Sequence, residues 1–349
     1  MNRTTLMVVA LFSVVVAALS VTATAQPAAI SGAGASFPYP LYSQWGFLYN
    51  SLTKVKLNYQ SIGSGGGIAQ IKAKTVDFGA SDAPLTSAEL DSAGLFQFPM
   101  VVGGVVAVVN IEGIKPGTLR LTPQALTDIY LGKIINWDDT MLVRLNPGLK
   151  LPHKGITVVY RSDGSGTTWI FTNYLDKVSP EWHKKVGTGK AVAWPTGVGG
   201  KGNEGVASYV QTLAGAIGYV EYAYALQNKM TYALLQNRAG EFVQPTIKTF
   251  QAATAGADWT NAPGFYLVLT DQPGKESWPI TGASFILIYR SQPDKAKARE
   301  MLAFFDWCYT HGAETAEKLD YVPLPANVIE LVKNAWKTKM ASGGQAVWP

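Results

Sequence analysis

The chain has 349 residues, 47% hydrophobic and only 15% charged, with a formal net charge of +5. That composition excludes a disordered chain and offers enough apolar material for two domains. The 29 Lys and Arg are scattered without a basic run, which argues against a nucleic-acid partner and fits a mild preference for small anions.

In chain order, the first feature is Arg3 ahead of an apolar run from Leu6 to Val21, closed by Ala23-Thr24-Ala25. The run is about 16 residues, shorter than the roughly 20 that span a bilayer, and its A-x-A end reads as a signal-peptide cleavage site. The expected mature chain starts at Gln26. With no cysteine near that site for a lipid anchor and no later apolar span, it is expected to be exported and soluble.

Beyond Gln26 the sequence alternates short apolar runs with amphipathic ones, the pattern of an α/β fold. Buried strands are expected at Lys56 to Gln60, Val76 to Ser81, Val101 to Asn110, Ile156 to Arg161, Ala216 to Tyr222 and Phe285 to Arg290. Helical stripes fall at Leu41, Trp45 and Leu48, and at Val206, Val210 and Leu213. Thr86-Ser-Ala-Glu89 reads as a capping box, and Thr122-Pro123 as a cap before a first-turn proline. The last 50 residues carry two more stripes, Met301, Phe305, Cys308 and Val328, Val332, Ala335. The single cysteine, Cys308, excludes an intrachain disulfide and is expected to be a buried thiol among Phe304, Phe305 and Trp307.

Three small-residue loops each open into a helix: Gly32-Ala-Gly-Ala-Ser-Phe37, Gly63-Ser-Gly-Gly-Gly67 and Asp163-Gly-Ser-Gly-Thr167. A helix start leaves backbone N–H groups unpaired and carries partial positive charge, so each loop can present amides and the hydroxyls of Ser36, Ser64, Ser165 and Thr167 to an anion. Each loop taken alone reads more simply as an ordinary N-cap. Their recurrence, with Arg161 at a strand end, favours an oxyanion site. Asp82 alone reads as a cap or Asx turn before Pro84. Aimed at an oxyanion, its carboxylate suits a ligand that still carries a proton: hydrogen phosphate does near neutrality, and sulfate does not.

These residues resemble the periplasmic phosphate-binding proteins of phosphate-specific ABC transporters. The resemblance runs over essentially the whole mature chain, through Gly32-Ala-Gly-Ala-Ser-Phe-Pro38, Gly63-Ser-Gly-Gly-Gly67, Thr75-Val-Asp-Phe-Gly-Ala-Ser-Asp-Ala-Pro84, Asp128-Ile-Tyr-Leu-Gly-Lys133 and Asp163-Gly-Ser-Gly-Thr167. It continues in Gly199-Gly-Lys-Gly-Asn203, Gly215-Ala-Ile-Gly-Tyr-Val-Glu-Tyr-Ala-Tyr224 and Phe304-Phe-Asp-Trp307. It implies a type II periplasmic-binding-protein fold, two α/β lobes around a ligand cleft joined by crossing hinge segments, with lobe 1 at 26–109 plus 282–349 and lobe 2 at 110–281. It further implies that Ser36, Phe37, Ser64, Asp82, Arg161, Ser165, Gly166 and Thr167 hold inorganic phosphate and that Asp163 supports Arg161. No cofactor and no metal are expected. The expected partner is an inner-membrane ABC permease, and the expected state a periplasmic monomer.

Rival readings are weaker. A secreted phosphoester hydrolase using Ser165 lacks G-x-S-x-G, and His153, His183 and His311 form no metal or triad spacing. They are expected at the surface or at helix ends. A nucleotide or other anion-binding reading rests on Gly197-Val-Gly-Gly-Lys-Gly202, which matches G-x-G-x-x-G. Pro195 interrupts the approach, no βαβ unit is expected around it, and the segment is expected to shape the cleft only indirectly. An adhesive role would account for the 39 aromatic residues but not for the convergent loops.

Overall fold

The computed structural model describes residues 29–349; the expected signal peptide, residues 1–25, and its cleavage site lie outside the described residues. The chain begins β1 (Ala29–Gly34), α1 (Tyr39–Thr53), β2 (Lys56–Ser61), α2 (Gly63–Lys72), β3 (Phe78–Ser81), α3 (Ser87–Ala93) and the long strand β4 (Leu95–Val109). It continues with β5 (Arg120–Leu121), α4 (Pro123–Tyr130), α5 (Thr140–Leu145), β6 (Thr157–Arg161), α6 (Gly166–Val178), α7 (Pro180–Lys185), β7 (Val198–Gly200), α8 (Gly202–Thr212), β8 (Ala216–Glu221) and α9 (Tyr222–Gln227). Short strands β9 (Thr231–Tyr232), β10 (Leu234–Gln236) and β11 (Phe242–Val243) lead to α10 (Ile247–Thr254). The return is β12 (Thr281–Tyr289), α11 (Lys295–His311), α12 (Ala313–Lys318), β13 (Val322–Pro323) and α13 (Ala326–Lys339).

One sheet, in the order β2-β1-β3-β12-β4-β8-β6-β7, runs through both lobes. Its centre is β4, buried along all 15 residues. Leu95–Gly104 pairs with β12, whereas Val105–Val109 pairs with β8, so a single strand belongs to two half-sheets. Gly104 at the change of partner has a structural reason: a Cβ there would lie 2.1 Å from the Phe250 ring. On one side β1, β2 and β3 are parallel, and on the other β6, β7 and β8 are parallel. This is the two-lobed α/β architecture of the type II periplasmic-binding-protein fold. In such sheets ligands gather beyond the carboxyl ends of the parallel strands.

The expected elements are found, β12 beginning at Thr281 rather than at Phe285, with three further differences. The strand expected from Lys56 lies at the sheet edge and alternates exposed with half-buried residues, because its outer side has no neighbour in the sheet order. The strand expected from Val101 begins at Leu95. Pro99 reads as a strand breaker, but it sits where the β4–β12 register shifts between Ser284 and Phe285, an irregularity that tolerates a missing N–H. The third difference is the segment after Pro195. β7 pairs with β6, α8 follows directly, and β8 returns beside β6, so a βαβ unit does surround Gly197–Gly202.

The caps follow the sequence and the stripes do so in part: Leu48 and Ala335 are only half-buried, and Leu213, also half-buried, is the residue after the end of α8. Thr86 and Glu89 form a reciprocal capping box, and Thr122 Oγ1 accepts from the Ala125 N–H. α1 buries Leu41 and Trp45, α8 Val206 and Val210, and α13 Val328 and Val332. α11 buries Met301, Phe305 and Cys308, and burial pushes the Cys308 thiol pKa well up. His153 and His183 are exposed, and His311 lies in the last turn of α11.

Candidate functional site

Two sets of three parallel strands, β1, β2 and β3 in one and β6, β7 and β8 in the other, end at one place. Ser36 and Phe37 follow β1, Ser64 follows β2, Asp82 follows β3, Arg161 ends β6, Asn203 follows β7 and Tyr224 follows β8. All the site residues expected from sequence are buried except Asp163, whose side chain is 13% exposed. The two halves are closed on each other. The Gly65 N–H donates to the Gly164 carbonyl at 2.7 Å. A Cβ on Gly166 would lie 2.4 Å from Ser64 Oγ and 2.6 Å from Asp82 Cβ, so only glycine allows that approach.

The second half supplies the positive charge. Arg161 Nε donates to Asp163 Oδ1 at 2.7 Å and Nη2 to Asp163 Oδ2 at 2.5 Å, a two-pronged contact that fixes the guanidinium plane. Burial alone would raise the Asp163 pKa, but the Arg161 fork and the Gly202 N–H, 3.0 Å away, outweigh it and hold the carboxylate low. Ser165 caps α6, its Oγ accepting from the Thr168 N–H at 3.0 Å. Its own N–H is already given to the Lys190 carbonyl, so of the contribution expected from Ser165 only the hydroxyl proton remains. The Gly166 and Thr167 amides, in the first turn, have no intrahelical acceptor.

The first half supplies hydroxyls and one acid. Ser64 Oγ accepts from the Asp82 N–H at 3.1 Å. Both Asp82 carboxylate oxygens are buried without a hydrogen-bond partner in the protein. Burial pushes the Asp82 pKa up to about 7, against Ser284, Arg161 and Ser64, which all pull it down. The hydroxyls of Ser284 and Ser64 lie near enough to act on the carboxylate, yet neither completes a hydrogen bond to it. A buried, unpartnered acceptor beside a set of donors is suited to an oxyanion that carries a proton.

Four residues at this site were not among those expected to line it, although Asn203 and Tyr224 close two of the resembling segments. Asn203 Nδ2 donates to Ser36 Oγ at 2.8 Å and to Thr167 Oγ1 at 3.2 Å, so the Gly199–Asn203 segment reaches the cleft directly rather than shaping it from a distance. The Tyr224 hydroxyl donates to the Ser36 carbonyl, and the Tyr321 hydroxyl to the Phe37 carbonyl, each at 2.7 Å. Ser284, on β12, is fully buried with its hydroxyl unpartnered in the protein. The sequence signal for Asn203 is its place just after a glycine-rich strand end, and that for Tyr224 its place at the end of the resembling Gly215–Tyr224 segment; Tyr321 and Ser284 carry none.

Known proteins share this organisation. A model of the PBP superfamily domain matches residues 21–311. A phosphate-binding protein PstS from Xylella fastidiosa (strain Temecula1) is 58% identical over 310 residues, spanning 89% of this chain and 85% of the relative. A PstS from Haemophilus influenzae is 55% identical over 316 residues, spanning 90% and 95%. Among solved structures, a high affinity periplasmic phosphate-binding protein (PfluDING) bound with phosphate superposes with a TM-score of 0.73 at 22% identity, over 91% of this chain and 97% of that one. That likeness speaks for the fold, and the two high-identity relatives for the family. The chain belongs to the PstS family of phosphate-binding proteins, within the PBP superfamily.

Proposed function

We propose that this protein captures inorganic phosphate in the closed cleft and delivers it to an ABC-type importer, without chemical change to the ligand. The observation that carries the reading is the pairing of Asp82 with the donors around it. Arg161, the hydroxyls of Ser36, Ser64, Ser165 and Thr167, and the amides of Ser36, Phe37, Gly166 and Thr167 donate to phosphate oxygens. Asp82 accepts from the phosphate proton. Sulfate offers Asp82 no proton and meets a buried negative charge, a mismatch worth up to roughly 10⁴ in discrimination. Asp163 keeps Arg161 in place and offsets its charge. The relatives' name, phosphate-binding protein, and the resemblance of the loops support the same ligand. The commitment of the Ser165 oxygen to capping α6 supports binding over covalent hydrolysis at that serine.

In this reading the lobes are 26–109 plus 282–349 and 110–281, and they rock about the two crossing strands. The change of partner in β4 at Gly104/Val105 and the start of β12 at Thr281 support a hinge there. The closed form is what an inner-membrane permease recognises. A cleavable signal peptide at 1–25 and a monomeric periplasmic state complete the proposal; among the described residues no helix is long and apolar enough to cross a membrane. Equilibrium dialysis of labelled phosphate against phosphate-stripped protein is the test. One phosphate retained per chain is expected, and none retained sinks the reading.

A further inference from the structure

We infer that Asn203 is a positioning residue that turns the Ser36 and Thr167 hydroxyls into obligate donors to the bound anion, and that its hold on Ser36 exists only when the two halves have closed. This rests on the reading of the cleft as a phosphate site. The orientation of the Asn203 amide is fixed by its neighbours: the Glu221 N–H donates to Oδ1 at 2.9 Å, so Nδ2 must face the cleft. There it gives one proton to Ser36 Oγ and the other to Thr167 Oγ1.

A hydroxyl has one proton to give and two positions at which to accept. Ser36 Oγ accepts from Asn203 Nδ2 at 2.8 Å and from the Asn203 backbone N–H at 3.2 Å. Thr167 Oγ1 accepts from Asn203 Nδ2 at 3.2 Å and from Arg161 Nη1 at 3.4 Å. With both accepting positions filled, each hydroxyl can only donate. Two groups that would bind donors or acceptors alike in water become fixed donors to an anion, with no added charge. Ser36 precedes α1 on one side of the cleft and Asn203 lies in α8 on the other, 167 residues away. Separating the halves frees Ser36 to accept from solvent. The same amide therefore links donor orientation to closure.

A double-mutant cycle read by calorimetric phosphate titration tests this. Asn203→Ala is expected to weaken phosphate roughly 10- to 100-fold, the scale of two misdirected donors in a buried site. In a Ser36→Ala/Thr167→Val background it is expected to weaken phosphate by no more than about twofold, because the hydroxyls it orients are gone. Asn203→Asp keeps the acceptor for the Glu221 N–H and covers the case in which Asn203→Ala does not fold. Its carboxylate draws the hydroxyl protons away from the ligand, so its deficit relative to wild type is expected to be largest near pH 8 and to shrink toward pH 5, where a protonated carboxyl donates again. An Asn203→Ala effect that is absent, or equal in both backgrounds, overturns the inference, as does an Asn203→Asp deficit that ignores pH. Wild-type protein that binds no phosphate overturns the reading of the cleft and this inference with it.

Discussion

The two sides of the cleft bring unlike chemistry to the same ligand. Ser36, Ser64 and Asp82 come from the half built on β1, β2 and β3, and offer hydroxyls and an unpaired acid but no cation. Arg161, Ser165 and Thr167 come from the half built on β6, and offer a guanidinium already matched by Asp163 together with the start of α6. Neither side alone is a good anion site: the first is acidic, and the second is electrically balanced. The formal charges of Asp82, Arg161 and Asp163 do not sum to a positive pocket. Binding therefore depends on oriented hydrogen bonds in a dehydrated space, and selectivity on the acceptor that the first half adds.

The contrast breaks most severely at the cation. Arg161→Ala removes the charged donor and leaves the buried Asp82 and the partly buried Asp163 without the cation that acts on both. Phosphate affinity is expected to fall by about 10³-fold, within the 2–5 kcal/mol span of losing one partner of a buried charged pair, as read by calorimetry. Gly166→Ala attacks the meeting of the halves, because the new methyl would press on Ser64 and Asp82 from across the cleft. A loss of roughly 10- to 100-fold is expected, an overlap relieved only by partial reopening. Small-angle scattering with saturating phosphate should then show a more open particle than wild type; equal compaction would refute a steric role for Gly166.

The acid gives a smaller and more specific effect. Asp82→Asn leaves an acceptor oxygen but removes the negative charge and adds a donor, so sulfate is expected to gain about tenfold relative to phosphate, still short of the full discrimination of the site. The same group makes the ligand-free protein sensitive to pH. Its folded pKa, raised to about 7 from an ordinary 3.8, means that the folded state holds the proton more tightly than the unfolded chain. The resulting stabilisation is fully present below about pH 4 and is lost as pH rises through 7, at most on the order of 4 kcal/mol. Wild-type Tm without phosphate is expected to fall from pH 5 to pH 8, and Asp82→Asn to flatten that fall. The smallest effect marks the scaffold: Thr86→Ala, which removes the capping box of α3, is expected to lower stability by about 1 kcal/mol in a denaturant melt and to leave phosphate affinity unchanged.

The sequence showed the glycine- and hydroxyl-rich loops because their signal is local: a run of small residues followed at once by a helical stripe, as in Gly63-Ser-Gly-Gly-Gly67 ahead of Ile71. It also showed the caps, whose partners lie three residues apart. What it could not show depends on distant pairing. Tyr321 meets the Phe37 carbonyl across 284 positions, and Ser284 comes near Asp82 only because β12 lies between β3 and β4. Asn203 was hidden for another reason. The Gly197–Gly202 run was weighed as a nucleotide motif, while its βαβ context became visible only when β7 and β8 were seen flanking β6. Pro99 disguised the first third of β4, because its tolerance there depends on a register shift in the facing strand.

The most direct test is a calorimetric titration of phosphate into stripped protein near pH 7, repeated with sulfate in large excess. A one-to-one phosphate isotherm that sulfate leaves unmoved is the expected result. An isotherm that sulfate abolishes or shifts would contradict the role given to Asp82, and the absence of phosphate binding would contradict the account as a whole.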